Sequence, residues 1–223
     1  VASADLTNFP LLKKISSKNK PIILSIGAST IDEIKKTVKY LKKNNVNDVV
    51  LLHCVLNYPT KNKNANLEKI NLIKKVFYDN IIGYSDHTIP DETMSPLIMS
   101  TFYGSKIIEK HFTFNKKLRG NDHYHAMDIN DLKKFRSILH NYKTLNGKDN
   151  YDPKKLEKQA RLNARRSIVI KYDLKKNTII KRNHLIAKRP GTGISPQDIE
   201  KIIGKKTKNF LKEDHILTFK DIT

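Results

Sequence analysis

The stretch "IIGYSDHTIP", residues 81–90, decides how the chain folds. Two β-branched apolar residues lead into Gly83, and then Tyr84, Ser85, Asp86, His87 and Thr88 bring five polar or polar-tipped side chains at once. The apolar run reads as a strand. The cluster at its end reads as the mouth of a site, because β/α proteins bind ligands beyond the C-terminal ends of their strands.

Working outward, the same kind of run recurs in "PIILSIG" (21–27), "DVVLLHCV" (48–55) and "SKIIEKHFT" (105–113). Between these runs the apolar residues take a helical period. Ile31, Ile34, Val38 and Leu41 stripe residues 30–43, where Ser29 or Thr30 can cap and Glu33 is placed for a capping box. Leu67, Ile70, Ile73 and Phe77 stripe residues 66–77, and residues 91–104 form a helix that must accommodate Pro96 near its start. Strands that are apolar throughout, separated by amphipathic helices, predict a parallel sheet covered on both faces. An open doubly wound sheet and part of a (β/α)8 barrel both fit. The chain has no G-x-G-x-x-G, which weakens a dinucleotide site.

A polar loop and a helix over about 130–145 close this first domain, residues 1–145. Residues 146–164 carry no apolar stripe wide enough for a core and read as a linker. Residues 165–223 change character, with short strands at 167–170 and 178–180, a basic Pro-Gly turn at 188–193 and a short helix opened by Ser195-Pro196. A segment this small is expected to pack on something else.

Composition narrows the functions. The net charge is +21, but only 7 of the 43 basic residues are Arg. Nucleic-acid surfaces use Arg for bidentate contacts, whereas here Lys accompanies 21 Asn along the whole chain. That pattern reads as a codon bias and a solvated surface, so no nucleic-acid partner is expected. A lone Cys54 excludes an internal disulfide framework and fits a reducing compartment, and a cytoplasmic location is expected. No membrane-spanning run or signal peptide is visible.

Polar residues stand at the C-terminal end of every expected strand: Ser3 and Asp5, Ser25 and Gly27, His53 with Tyr58, Ser85 to His87, and Glu109 with His111. His87 and His111 occupy equivalent places one β/α unit apart, on strands expected ~4.8 Å from each other. They either share one metal ion, with Glu109 or Asp86 nearby, or each satisfies a buried backbone group. His53 reads as a satisfied core residue and Cys54 as a small buried one. His123 and His125 contact a ligand or face solvent. Arg189, in the "KRPGTG" turn, either presents its guanidinium rigidly or is simply exposed.

These residues resemble the sialic acid synthase (N-acetylneuraminate synthase-like) family. "ASADLTNFPLLKKI", "KPIILSIGAS", "LLHCVLNYPT", "IIGYSDHT", "IIEKHFT" and "GNDHYHAMD" are similar to its barrel motifs, in order. "RRSIVIKYDLKKNTII", "KRPGTGISP" and "IIGKK" are similar to its C-terminal antifreeze-like, or SAF, domain. The resemblance implies an α/β fold: a (β/α)8 TIM barrel, of which this chain holds the later strands, followed by a small SAF β-clip domain. It implies condensation of phosphoenolpyruvate with an N-acylated hexosamine, ManNAc or a related sugar, to a nonulosonic acid and phosphate. It implies a divalent metal, Mn2+ or alternatively Mg2+, on His87 and His111, with Glu109 as the acidic residue at the metal site. Ser3, Ser25 and Ser85 match positions around the phosphoenolpyruvate anion, and Tyr58, Asp5 and Asp122 match sugar-side positions. Asp5 is expected to be catalytic alongside Glu109. A domain-swapped homodimer is implied, with Arg189 reaching the N-acyl group from the partner's SAF domain.

Leu56, Ile26, Ala28, Asp5 and Asn177 depart from the family's usual residues, which bears on the substrate more than on the reaction. "VAS" reads as the tail of a strand already under way, so an open half-barrel without catalysis is expected if the polypeptide begins at Val1. A legionaminic- or pseudaminic-type synthase, an inactive fragment and a carbohydrate-binding module are the alternative readings.

Overall fold

In the computed structural model, residues 1–147 and 156–223 are described. They fall into two compact units, the first Val1–Gly147 and the second holding residues 156–223. The first opens with α1 (Phe9–Ser16) and then alternates β1 (Ile22–Ser25), α2 (Ile31–Lys43), β2 (Val49–Cys54), α3 (Lys69–Val76), β3 (Ile81–Asp86), α4 (Ser95–Phe102), β4 (Ile108–Lys110) and α5 (Ile129–Asn146). All strand pairs are parallel and the order is β1-β2-β3-β4. Each strand therefore pairs with the next in sequence. A doubly wound sheet would reverse its order at a switch point. The sequential order is that of a barrel wall.

Local chemistry sets the helix ends. Thr30 caps α2 in a reciprocal box with Glu33, and Asp128 does the same for α5 with Asp131. The helix expected over 91–104 starts later, at Ser95. Asp91 accepts from the Thr93 and Ser95 amides and holds a turn there. Pro96 then falls in the first helical turn, where its missing N–H costs nothing.

The pleat sorts the side chains. Ile22, Leu24, Leu51, Ile82 and Tyr84 join residues of α1 to α5 in one apolar cluster. Ser25, Leu52, Cys54, Gly83 and Ser85, at the alternate positions of these strands, take the opposite face. Gly83 is required there: a Cβ on it would lie 2.4 Å from Leu52 Cδ2 and 2.5 Å from the Ile107 carbonyl oxygen. His53 is a core residue, as its sequence context implies. Its Nε2–H donates to the Ala65 carbonyl at 2.9 Å, and its ring stacks on Tyr84.

In the second unit, α6 (Lys158–Ala164) precedes an antiparallel pair of β5 (Ser167–Ile170) and β6 (Leu185–Lys188). The strand expected at 178–180 is reduced to a single bridge between Ile179 and Lys206, while β6 is unanticipated. Of the expected linker, residues 148–155 lie outside the described residues and 158–164 are helical. Ile168, Ile170, Leu174, Ile180, Ile194, Ile202, Leu211, Leu217 and Ile222 close a second apolar cluster. Among the described residues no helix is long and apolar enough to cross a membrane.

Two outcomes follow from this packing. Gly83→Ala lowers stability by about 1–3 kcal/mol, read as a fall in the urea midpoint, because two strands must part to admit the methyl group. Burial holds the His53 pKa below the ordinary imidazole value. The unfolded chain then binds the proton more readily. Stability is full above the unfolded imidazole pKa and declines as pH falls from there towards the folded value. His53→Gln, which can still donate to Ala65, gives a shallower decline of the urea midpoint between neutral pH and about pH 5.

Candidate active site

The strand register builds the site in one row. Cys54 pairs with Ser85, and Ser85 with Glu109. Gly27, two residues past the end of β1, extends the row: a Cβ there would lie 3.0 Å from Cys54 Sγ. The Gly27 amide donates to Ser3 Oγ at 2.9 Å, which brings Ser3 to the same row. Ser85 Oγ donates to Glu109 Oε1 at 2.7 Å. Burial pushes the Cys54 thiol pKa up, which keeps it a neutral filler between the Ser3 and Ser85 hydroxyls. Ser25 is buried on the same face, one step lower in the register.

One step beyond the row lie the histidines. His87 Nδ1–H donates to the Val55 carbonyl at 2.8 Å, so Nε2 keeps its lone pair. Burial pulls its pKa down, and His111 adds to the effect. The ring centroids of His87 and His111 are 5.2 Å apart, and Tyr58 lies 4.1 Å from His87 and 5.7 Å from His111. Asp122 Oδ2 is 3.9 Å from His111 Nδ1. The fully buried His125 has its ring centroid 5.0 Å from that of His111, and among the described residues neither of its ring nitrogens has a partner. The donor set of clustered imidazoles with an orphaned buried nitrogen pair suits a divalent metal.

The structure thus gathers Ser3, Ser25, Ser85 and Glu109 in or beside one row, and Tyr58, His87, His111 and Asp122 in the layer above. Asp5 ends the short 3-10 turn that begins at Ser3. It closes the turn before α1, and among the described residues its carboxylate accepts from Asn8 Nδ2 at 3.1 Å. Arg189 is exposed in the second unit. Its turn is held there by Ser167, whose Oγ donates to the Pro190 carbonyl and accepts from the Gly193 amide. His123 is occupied by Thr113 Oγ1 at 2.8 Å, while His125 turns inward.

Sequence reading misses Lys110. On the face opposite Glu109 and His111, its ammonium lies 2.9 Å from Asp86 Oδ2, with side-chain exposures of 4% and 1%. Lys110 Nζ also donates to the Thr88 carbonyl at 2.6 Å. Asp86 accepts in addition from Tyr84 Oη, the Thr88 amide and Thr88 Oγ1. The available signal was the register: a charge of each sign at matching places on adjacent strands. Removing one partner strands a buried charge. Lys110→Met or Asp86→Asn costs ~3–5 kcal/mol in urea unfolding, and the double variant costs less than the two single losses summed.

The chain is similar to known proteins along its length. The NeuB family profile matches residues 1–151, and the SAF domain profile matches residues 165–223. An N,N'-diacetyllegionaminic acid synthase of Legionella pneumophila is 36% identical over 210 residues, covering 92% of this chain and 58% of that protein. The structure of an N-acetylneuraminic acid (sialic acid) synthetase from Leptospira borgpetersenii, in complex with citrate, is 31% identical with a TM-score of 0.63, covering 72% of this chain and 54% of that one. A spore coat polysaccharide biosynthesis protein E from Chromobacterium violaceum, 21% identical, matches in fold with a TM-score of 0.82 over 100% of this chain and 66% of its own. The chain spans less than two thirds of the length of the curated relatives it matches. With its run of later barrel strands, its motifs in order and its SAF domain at residues 165–223, the chain belongs to the NeuB family of sialic acid synthase-like proteins.

Proposed function

We propose that these residues form part of a synthase that condenses phosphoenolpyruvate with an N-acylated hexosamine, giving a nonulosonic acid and phosphate. The observation that carries the reading is the two-layer site: hydroxyls and Glu109 in one row, histidines in the next, on the same face of the strand ends. The chemistry asks for both layers. C3 of phosphoenolpyruvate attacks the open-chain sugar aldehyde, and an oxygen nucleophile attacks C2 before phosphate leaves.

A divalent metal, Mn2+ by resemblance, would be held by His87 and His111 and would supply Lewis-acid polarisation of the aldehyde oxygen. The remaining work falls to the chain. The Val55 carbonyl fixes the His87 tautomer and turns Nε2 to ligand duty. Ser3 and Ser25, beside the Gly27 amide, bind the anion. The proton of Ser85 is committed to Glu109 while that carboxylate is ionised, so Ser85 orients Glu109 more than it donates to phosphate. Glu109 takes the proton of the attacking oxygen nucleophile. Tyr58 and Asp122 flank the histidines and meet the sugar. Arg189, reaching in from the SAF domain of a second copy of the chain, makes the acyl contact that the family resemblance implies, and its clamped turn supports that role. Asp5, which accepts from Asn8 Nδ2, takes a sugar-side position by resemblance to the family.

The legionaminic-type relative at 36% identity favours a second reading of the sugar, a diacetylated hexosamine. A panel of N-acyl hexosamines decides between the two. The readout is phosphate release from phosphoenolpyruvate by the complete polypeptide containing these residues. Release with ManNAc alone supports the first sugar, and release with the diacetylated sugar supports the second. No release with any member of the panel overturns the reaction. Glu109→Gln lowers kcat about 100- to 10,000-fold with folding intact. His87→Ala and His111→Ala abolish both turnover and metal retention.

A further inference from the structure

We propose that His125 is a third imidazole ligand of the metal at His87 and His111, and that with Asp122 it makes the site selective for a first-row transition ion over Mg2+. The inference rests on the metal reading above and extends it to a residue outside the strand ends.

His125 is 0% exposed, and both its ring nitrogens lack a partner among the described residues. An unpaired buried polar group is costly to keep. Such a group calls for a compensating ligand, and its neighbours name the kind. The ligand atoms of His111, Asp122 and His125 all lie within 4.8 Å of one another. Donors bound at ~2.0–2.2 Å to one ion sit no more than about 4.4 Å apart. Small side-chain rotations therefore bring these three donors onto one ion, with the His87 ring centroid 5.2 Å from that of His111.

The backbone holds His125 in place. The Met127 amide donates to the His111 carbonyl at 2.8 Å, and the Thr113 amide donates to the Met127 carbonyl at 2.8 Å. These two bonds pin the returning loop against the end of β4, with His125 two residues before the pin. Tyr124 and Tyr58 rings, at 5.0 and 6.1 Å, complete its surroundings. Mg2+ is matched by oxygen donors and retained water. A set of three imidazoles and one carboxylate instead suits the transition ions.

The test is equilibrium dialysis of the full chain against Co2+, with the visible d–d spectrum recorded. One Co2+ binds, a large excess of Mg2+ does not displace it, and His125→Ala weakens binding by at least about tenfold and alters the band. His125→Gln is the second variant should Ala not fold, and circular dichroism checks both. Exposed His140→Ala leaves affinity and band as in the unaltered chain. An unchanged affinity and spectrum in the folded His125 variants, or displacement by Mg2+, overturns the inference. If Co2+ binding survives His125→Ala but is lost in His87→Ala, this inference fails and the metal reading stands. If the unaltered chain binds no Co2+, both fail.

Discussion

The buried pair of Asp86 and Lys110 is the interaction on which the site depends. Two opposite charges out of water hold only when geometry and further hydrogen bonds are good. Here Asp86 is met by Tyr84, by the Thr88 amide and hydroxyl and by Lys110, and Lys110 also meets the Thr88 carbonyl. The pair ties the end of β3 to the end of β4. His87 and His111 each follow a member of that pair by one residue. Their separation is thus set by a charge pair on the opposite face of the sheet.

The pleat then divides the labour. Successive residues of β3 and β4 alternate between the helix-covered face and the face that carries the site. Tyr84 and Asp86 belong to the first, and Ser85 and His87 to the second. The same alternation puts Lys110 under the sheet and Glu109 and His111 above it. Gly83 matters because the strand beneath the row must approach both Leu52 and the Ile107 carbonyl. A side chain there would widen the spacing that aligns Cys54, Ser85 and Glu109. The second unit uses a related economy. Ser167 holds both sides of the Arg189 turn with a single hydroxyl. Asn177 adopts φ 64°, a left-handed conformation that Asn tolerates better than most side chains, which explains how it stands where the family often has Gly.

Helix and strand positions were legible in residues 21–146 because amphipathic period and capping are local properties. The box of Thr30 and Glu33 needed only four consecutive residues. The parallel arrangement was legible as well, since runs apolar on both faces have few other homes. Position at strand ends also singled out Ser85, His87, Glu109 and His111. Tertiary structure alone decided the partners. Lys110 looked like one more lysine in a lysine-rich chain until the register set it opposite Asp86. His125 was indistinguishable from His123 until the pairing of Met127 with His111 turned one inward and left the other with Thr113. Asp5, at a strand-end position in the sequence, proved to bond Asn8 at the head of a helix. Side-chain period is written in neighbouring residues, whereas partner choice depends on segments distant in sequence, and only folding brings those together.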